Sequence, residues 1–374
     1  MTAATVAAAR ADGATPGRHP VPPVRRFRVV GPSIHDPRLR VSAVIATLHI
    51  LGQTVLGFKV SIAQILVTVV LCAVLDMALP LLRDHALVWP ASGLLTGSSI
   101  AFILRASGTR HGAWWSLHGI QYFVLAVVVS LACKNLLRPG GRHRFNPSNV
   151  GIVATLLLVG PARVFPQYLW WGPPHAPVLV AVAVIVVGAA WVLKPFRLYG
   201  LALSFLATFG VLVGLFAALG ASFVAIWHHG PVAGPSYWLD LAVSPELLVF
   251  AFFMLPDPRT VPASSRGRVG FGMLTAIVAA GLLAAQPTEF GIKVAILASL
   301  TFTCALAPAI DRLAVTGRVT LRGAWFSARS AIMRPAVAAI VVVALGAPID
   351  AAALARNTQV LLIEKGLSGS HNPQ

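Results

Sequence analysis

The chain has 374 residues, of which 57% are hydrophobic and only 11% are charged, whereas a soluble domain carries about 25% charged residues. Its mean hydropathy is +0.80. This composition excludes an ordinary soluble enzyme. At roughly 20 apolar residues per crossing, the apolar content suffices for about ten membrane-spanning helices. The apolar runs are too continuous for the alternating pattern of an outer-membrane barrel.

The formal net charge is +18, an excess that in a soluble protein would indicate nucleic-acid binding. Here the basic residues lie between the apolar runs, where the positive-inside rule accounts for them. We therefore expect the lipid bilayer as a partner and no nucleic acid.

Residues 1–40 are polar, Pro-rich and basic, and they predict a disordered cytoplasmic arm rather than a cleaved signal peptide. Eleven apolar runs follow, and several are shorter than a full crossing. In chain order they cover residues 41–58, 60–79, 91–104, 115–136, 147–159, 178–193, 198–219, 241–255, 269–285, 292–310 and 335–353.

Placing the arm inside the cell collects 22 of the 29 Lys and Arg residues on the cytoplasmic side. The positive-inside rule therefore predicts a multi-pass protein of the inner (plasma) membrane with a cytoplasmic N-terminus. Ten core spans and an eleventh would place the C-terminus outside.

Three of the shortest runs, 91–104, 147–159 and 241–255, carry Pro, Gly or Asn at or beside their ends. Short, broken segments in matching positions of two halves indicate an inverted repeat, although such segments can also be tilted or interfacial. We predict an all-α membrane protein of about ten helices. Its parts are a first five-helix repeat over 41–160, a second over 177–312, and an extension over 313–374 with one further helix.

Two local sequences are distinctive, Arg142-His-Arg-Phe-Asn-Pro-Ser-Asn-Val-Gly151 and Phe252-Phe-Met-Leu-Pro-Asp-Pro-Arg-Thr260. With Leu95-Thr-Gly97 and Ala307-Pro-Ala-Ile-Asp-Arg312, they make residues 41–312 resemble the NqrB/RnfD family. Members of that family are membrane components of the sodium-translocating NADH:quinone reductase and of the Rnf complex. The resemblance implies ten spans in two inverted repeats, bound flavin, and a role in moving electrons and cations across the membrane.

That family attaches FMN covalently to a Thr in the outer loop between the fifth and sixth spans. The corresponding loop here, residues 161–175, contains no Thr. The resemblance therefore implies a flavin, FMN or riboflavin, that is held non-covalently. The segments Phe145-Asn-Pro-Ser-Asn149 and Leu169-Trp-Trp-Gly-Pro173 also resemble a divergent branch encoded in enediyne antibiotic biosynthesis loci.

Eight residues of these motifs are candidates for cofactor binding: Thr96, Gly97, Lys134, Asn146, Pro147, Asn149, Asp257 and Thr260. Asn146 before Pro147 is typical of a helix start, whose free amides could face an anion or a flavin edge. A plain N-cap without a ligand is equally consistent with the spacing.

The other candidates also have alternatives. Asp257 could bind a cation or accept from a flavin N–H, or it could pair with Arg259 or Arg266. Lys134 could neutralise a phosphate or simply determine topology. Gly97 belongs to a Gly-x-x-x-Gly pattern, for which helix packing is the more common explanation.

Asp76 and Glu246 lie within apolar runs, where an ionisable residue is a functional hypothesis by default. They are the candidates for an ion pathway, with pairing to Arg83 as the alternative for Asp76. We assign no catalytic or metal-binding residue, because the chain contains no P-loop, dinucleotide fingerprint, nucleophile elbow or zinc-protease motif.

Three functions remain open at this point. The first is a flavin-binding electron-transfer subunit that works with redox or biosynthetic partner subunits and moves Na⁺ or H⁺. Such a subunit would belong to a membrane oxidoreductase and have no nicotinamide site of its own. The second is a non-redox transporter or channel for a small molecule or natural product. The third is a membrane anchor that assembles soluble enzymes through its basic arm.

Overall fold

The structure is a computed structural model that describes residues 27–33, 36–137 and 143–316. This part of the chain forms eleven α-helices. They are α1 Arg38–Thr54, α2 Ile62–Asp84, α3 Ala91–Ile103, α4 Ile120–Leu136, α5 Pro147–Val159, α6 Ala176–Leu193, α7 Tyr199–Ala218, α8 Gly234–Ala242, α9 Pro245–Val249, α10 Ser265–Leu283 and α11 Glu289–Thr316. A 3-10 turn, Lys194–Phe196, continues α6, and a π-helical turn, Phe250–Met254, continues α9.

Within the described residues, six helical segments are long and apolar enough to cross a membrane. They are Ile62–Asp84, Ala176–Phe196, Tyr199–Ala218, Gly234–Met254, Ser265–Leu283 and Glu289–Asp311. Leu66, Val70 and Val74 on α2 are exposed at helical spacing, as expected of a face that contacts lipid. The prediction of a helical membrane protein in contact with the bilayer is confirmed.

Local sequence explains where several helices begin. Ser61 caps α2 in a capping box with Gln64, since each side chain bonds the other residue's backbone N–H. Asn146 caps α5 and Pro147 is its first residue, so α5 covers the predicted residues 147–159.

The predicted span 241–255 is not one continuous α-helix. It comprises the end of α8, a break at Val243, the short helix α9 and the π-helical turn. The Ser244 side chain accepts the Leu247 N–H at the start of α9, and Pro245 follows as the first helical residue. The expected interruption is therefore present. It lies near the N-terminal end of the predicted span, where the new helix α9 begins.

Within the residues that the structure describes, six three-residue strands, which the sequence did not predict, form three small pairs. They are β1 Arg28–Val30 with β2 Ala86–Val88 in parallel, β3 Leu104–Ala106 with β4 Val164–Pro166, and β5 Ser222–Val224 with β6 Pro231–Ala233, the last two antiparallel. The end of the predicted arm is therefore structured. Residues 1–26 of the arm and the predicted span 335–353 lie outside the described residues.

The helices pack in a way that places α3 and the α9 segment near the centre. α2 packs on α3, α4 on α5, and α10 on both α7 and α11, while α11 also contacts α5. α1 lies against α3 and α6. The short helix α3 and the α9 segment, which is α9 with its π-helical turn, are thus enclosed by longer helices.

Candidate functional site

A cavity of about 540 Å³ lies between α3 and the α9 segment, within the roughly 300–1,000 Å³ typical of small-molecule sites. Its walls come from α3, the π-helical turn, the first turn of α5, and the facing ends of α1 and α6. Exposed Arg259 lies at its rim, whereas Phe102 and Ile103 are buried and form its floor. The cavity thus extends from the surface into the core.

One face of α3 gives the cavity much of its polar character. Ser92, Leu95, Thr96 and Ser99 all line it, and their spacing places them on the same side of a helix. The Ser99 hydroxyl donates to the Leu95 carbonyl at 2.9 Å. The sequence analysis identified Thr96 but not the two serines, although their spacing was a usable signal.

Asn146 caps α5 and also connects it to the π-helical turn. Its Oδ1 accepts from the Asn149 backbone N–H at 3.3 Å and from the Ser148 hydroxyl at 2.9 Å. Its Nδ2 donates to the Met254 carbonyl at 3.0 Å. Asn146 and Pro147 both line the cavity, so the predicted N-cap is present and faces it.

Asn149 is placed differently. It is 1% exposed and does not line the cavity. Its Nδ2 donates to the Leu297 carbonyl at 2.9 Å and to the Thr301 hydroxyl at 3.0 Å, both on α11. The structure therefore uses this predicted cofactor residue to join α5 to α11.

We expect Asn149→Ala to lower the free energy of unfolding by about 1–3 kcal/mol, because buried groups on α11 lose their partner. Ligand affinity should stay unchanged. Thermal unfolding in detergent measures the first effect and a binding titration the second. A large loss of affinity in a stable variant would place Asn149 in the site instead.

The second motif supplies the rim. Asp257 lines the cavity, and its Oδ1 accepts the Arg259 backbone N–H at 3.0 Å. Burial raises the pKa of the Asp257 carboxyl, and the backbone hydrogen bond and charge of Arg259 oppose that rise. The Arg259 guanidinium donates to Nε2 of His143 at 3.3 Å. Thr260 is buried and donates to the Asp257 carbonyl, and it does not line the cavity.

Asp36, just ahead of α1, and Arg38, the first residue of α1, complete the rim. Three side-chain hydrogen bonds of 2.6–3.0 Å join them, and these bonds to Arg38 hold the pKa of the Asp36 carboxyl below its usual value. Two arginines, Arg38 and Arg259, thus face two aspartates, Asp36 and Asp257. The formal charges of these lining groups cancel.

Gly97 faces α2 rather than the cavity. A Cβ atom there would lie 2.8 Å from the Val69 Cα and 3.0 Å from the Thr68 carbonyl oxygen, and Gly93 meets α2 equally closely. For the Gly-x-x-x-Gly pattern of Gly93 and Gly97, the structure therefore shows close helix packing.

Lys134 and Asp76 form an ion pair beside the start of α3. The Asp76 Oδ2 also accepts the Gly93 backbone N–H at 2.9 Å, and the Lys134 Nζ donates to the Ser92 hydroxyl at 2.9 Å. Asp76 and Lys134 are therefore partners across helices. Neither lines the cavity, but Ser92 connects them to it.

Glu246 forms a second ion pair near the other end of α3. Its Oε2 accepts from the Lys293 Nζ at 2.6 Å and its Oε1 from the Trp171 indole N–H at 3.2 Å. Four residues earlier on α11, Glu289 accepts the Leu169 backbone N–H at 2.6 Å. The sequence analysis did not single out Lys293 or Glu289, although their spacing of four residues, about one helical turn, was a signal.

A small void of about 10 Å³ adjoins this second pair, with Glu246, Lys293 and Ile103 in its wall. A cavity of that size is at the limit for a single water molecule. Ile103 also lines the large cavity. The end of α3 therefore meets the start of α9 at this void.

No protein-family model matches the chain, and no curated protein matches its sequence. The pocket and its neighbouring ion pairs are therefore the observations that bear on function.

Proposed function

We propose that the protein binds a flavin non-covalently in the large cavity and transfers electrons within a membrane redox assembly, coupled to cation movement. The cavity between α3 and the α9 segment is the observation that carries this proposal. An isoalloxazine is flat and apolar on both faces and has polar edges. The apolar walls with Phe102 and Phe252, and the hydroxyls of Ser92, Thr96 and Ser99, match these two requirements.

The cancelling charges of the rim favour an uncharged ligand. A phosphate ester would need uncompensated cationic groups, but Arg38 is bonded to Asp36, and the charge of Arg259 acts on the nearby carboxyls of Asp36 and Asp257. Riboflavin therefore suits these side chains better than FMN. The absence of Thr from residues 161–175 is consistent with non-covalent binding.

A bound flavin supplies the redox chemistry, while the protein positions the ring and tunes its potential. Four of the predicted residues line the cavity, Thr96, Asn146, Pro147 and Asp257. The three that carry polar side chains would contact the ring edges. Because the chain carries no nicotinamide-binding motif, a partner subunit must deliver the electrons. The narrower resemblance would place that partner in natural-product biosynthesis.

The proposed scaffold is two inverted five-helix repeats, with α3 and the α9 segment as equivalent members. The first repeat is α1–α5, and the second is α6, α7, the segment that contains α8 and α9, α10 and α11. The rim residues Arg38 and Arg259 are among the 22 basic residues that the positive-inside rule assigns to the cytoplasmic side. We therefore propose that the cavity opens to the cytoplasm.

The direct test is a visible absorption spectrum of the full chain purified in detergent with its partner subunits. We expect the bands of an oxidised flavin, and we expect acid precipitation of the protein to release the flavin into the supernatant. A preparation that contains no flavin and fails to bind added riboflavin or FMN would contradict the proposal. Colour retained in the precipitate would contradict the non-covalent mode.

A transporter is the second candidate, and the shape of the cavity favours it. The cavity opens at one side and ends at Phe102 and Ile103, as expected of a site with access from one side at a time. Substrate flux in proteoliposomes without any redox donor would favour this function. Flux that requires a donor would favour electron transfer.

A further inference from the structure

The two carboxylates predicted on an ion pathway share one arrangement. Each binds a lysine from another helix, Asp76 with Lys134 and Glu246 with Lys293. The second oxygen of each carboxylate accepts an N–H, from the Gly93 backbone in one case and from the Trp171 indole in the other.

This arrangement leaves no room for a metal cation at either carboxylate. Hard cations need a shell of oxygen ligands, and all four carboxylate oxygens already accept from nitrogen. An ammonium group occupies the position of the cation and would repel a second one. Within the described residues, no three His, Cys, Asp or Glu side chains come together to hold a metal ion.

A proton does not need a shell of oxygen ligands, and each ion pair has a route by which a proton could reach it. Lys134 donates to the hydroxyl of Ser92, which lines the large cavity. Lys293 and Glu246 border the one-water void. Ser92 is at the first turn of α3 and Ile103 is its last residue, so α3 connects the two pairs along the cavity wall.

We propose that the ion moved by this protein is a proton, exchanged at the Lys134–Asp76 and Lys293–Glu246 pairs at the two ends of α3, with Ile103 as the apolar barrier between the large cavity and the second pair. The inference rests on the proposed ion-coupled function, but it does not require that the ligand be a flavin.

The exchange needs no other reactant. Each pair is neutral as an ammonium with a carboxylate. It gains one proton at the carboxylate, which leaves the pair with a charge of one positive unit, and returns to neutrality when that proton passes to a water molecule. No bond to carbon changes and no electron moves.

The charged or titratable groups around each pair are few among the described residues. Cys72 on α2 and Arg259 at the rim act on Lys134. Glu289, near Lys293 and Arg105, lies beside the second pair. Arg105 itself stacks over the Tyr168 ring at 4.1 Å. The group around the second pair thus comprises two acids, Glu246 and Glu289, and two bases, Lys293 and Arg105.

The test uses the full chain in proteoliposomes, with a pH-sensitive dye inside and a valinomycin-imposed potassium potential. We expect Ile103→Ser to raise proton flux about tenfold or more over the wild type in sodium-free buffer, because a lower barrier acts exponentially on rate. Ile103→Val, one methyl group smaller, should give a lesser increase and serves if the serine variant does not fold. Ile277→Ser on the exposed face of α10 is the matched control and should change nothing.

Adding Glu246→Gln and Lys293→Met to Ile103→Ser should return proton flux to the wild-type level. Flux that persists in this triple variant would overturn the proposal, as would unchanged flux in both Ile103 variants. Saturable uptake of radioactive sodium that depends on Glu246 would also overturn it. Bound flavin is measured on the same preparations. Proton flux in a preparation without flavin would contradict the flavin proposal but not the proposal of proton exchange.

Discussion

Replacing Lys293 by methionine is expected to lower the free energy of unfolding by about 3–5 kcal/mol, since removal of one partner leaves an uncompensated buried charge. Lys293 is 4% exposed and Glu246 is 3% exposed. Methionine keeps most of the length and apolar stem of lysine but removes the donor that lies 2.6 Å from the Glu246 Oε2. Thermal unfolding in detergent, followed by circular dichroism, measures the effect.

Two controls separate the lost charge pair from lost packing. The double variant Glu246→Gln, Lys293→Met should recover most of the stability, because glutamine is uncharged and its Oε1 still accepts from the Trp171 indole. Lys194→Met, at an exposed position, should stay within about 0.5 kcal/mol of the wild type. A double variant as unstable as Lys293→Met alone would show that the pair is not the cause.

Features that depend on adjacent residues could be predicted from the sequence. Asn146 and Pro147 begin α5 as expected, because a cap and a proline at the first helical position act through local backbone geometry. The interruption before α9 follows from Ser244 and Pro245 in the same way. Apolar length likewise identified the six segments that can cross a membrane.

Features that depend on which helix faces which could not be predicted. Lys134 lies 58 residues from Asp76, and Lys293 lies 47 residues from Glu246, so no local spacing links them. Helices that are apolar on all sides carry almost no periodic signal to show which face is buried. The same limitation explains Asn149, whose motif indicated a ligand and whose side chain instead bonds α11.

The site was therefore only partly predicted. The motif residues Thr96, Asn146 and Asp257 do converge on one cavity, although 161 positions separate the first from the last in the printed sequence. Asp36 and Arg38, two of its four charged rim residues, belong to no motif, and His143 lies in the first motif but was not a candidate. They acquire a role only because the chain ahead of α1 and the segment before α5 meet at the same rim.

Filling the cavity provides the strongest test of where the ligand binds. We expect Ser99→Trp to weaken riboflavin binding by about 100-fold or more, a loss of roughly 2.7 kcal/mol, because the indole would occupy space that the ring needs. The Ser99 hydroxyl bonds only the Leu95 carbonyl of its own helix, so its removal costs little elsewhere. Quenching of riboflavin fluorescence by flavin-depleted protein measures the affinity.

The matched control is Val70→Trp on α2, where the side chain is 56% exposed on the lipid-facing surface. It adds a tryptophan to a membrane helix without touching the cavity, and its affinity should equal that of the wild type. If Ser99→Trp folds and binds riboflavin as tightly as Val70→Trp, the flavin does not occupy the cavity between α3 and the α9 segment. If both variants lose binding, the effect comes from the added tryptophan and not from the filled cavity, since only position 99 faces it.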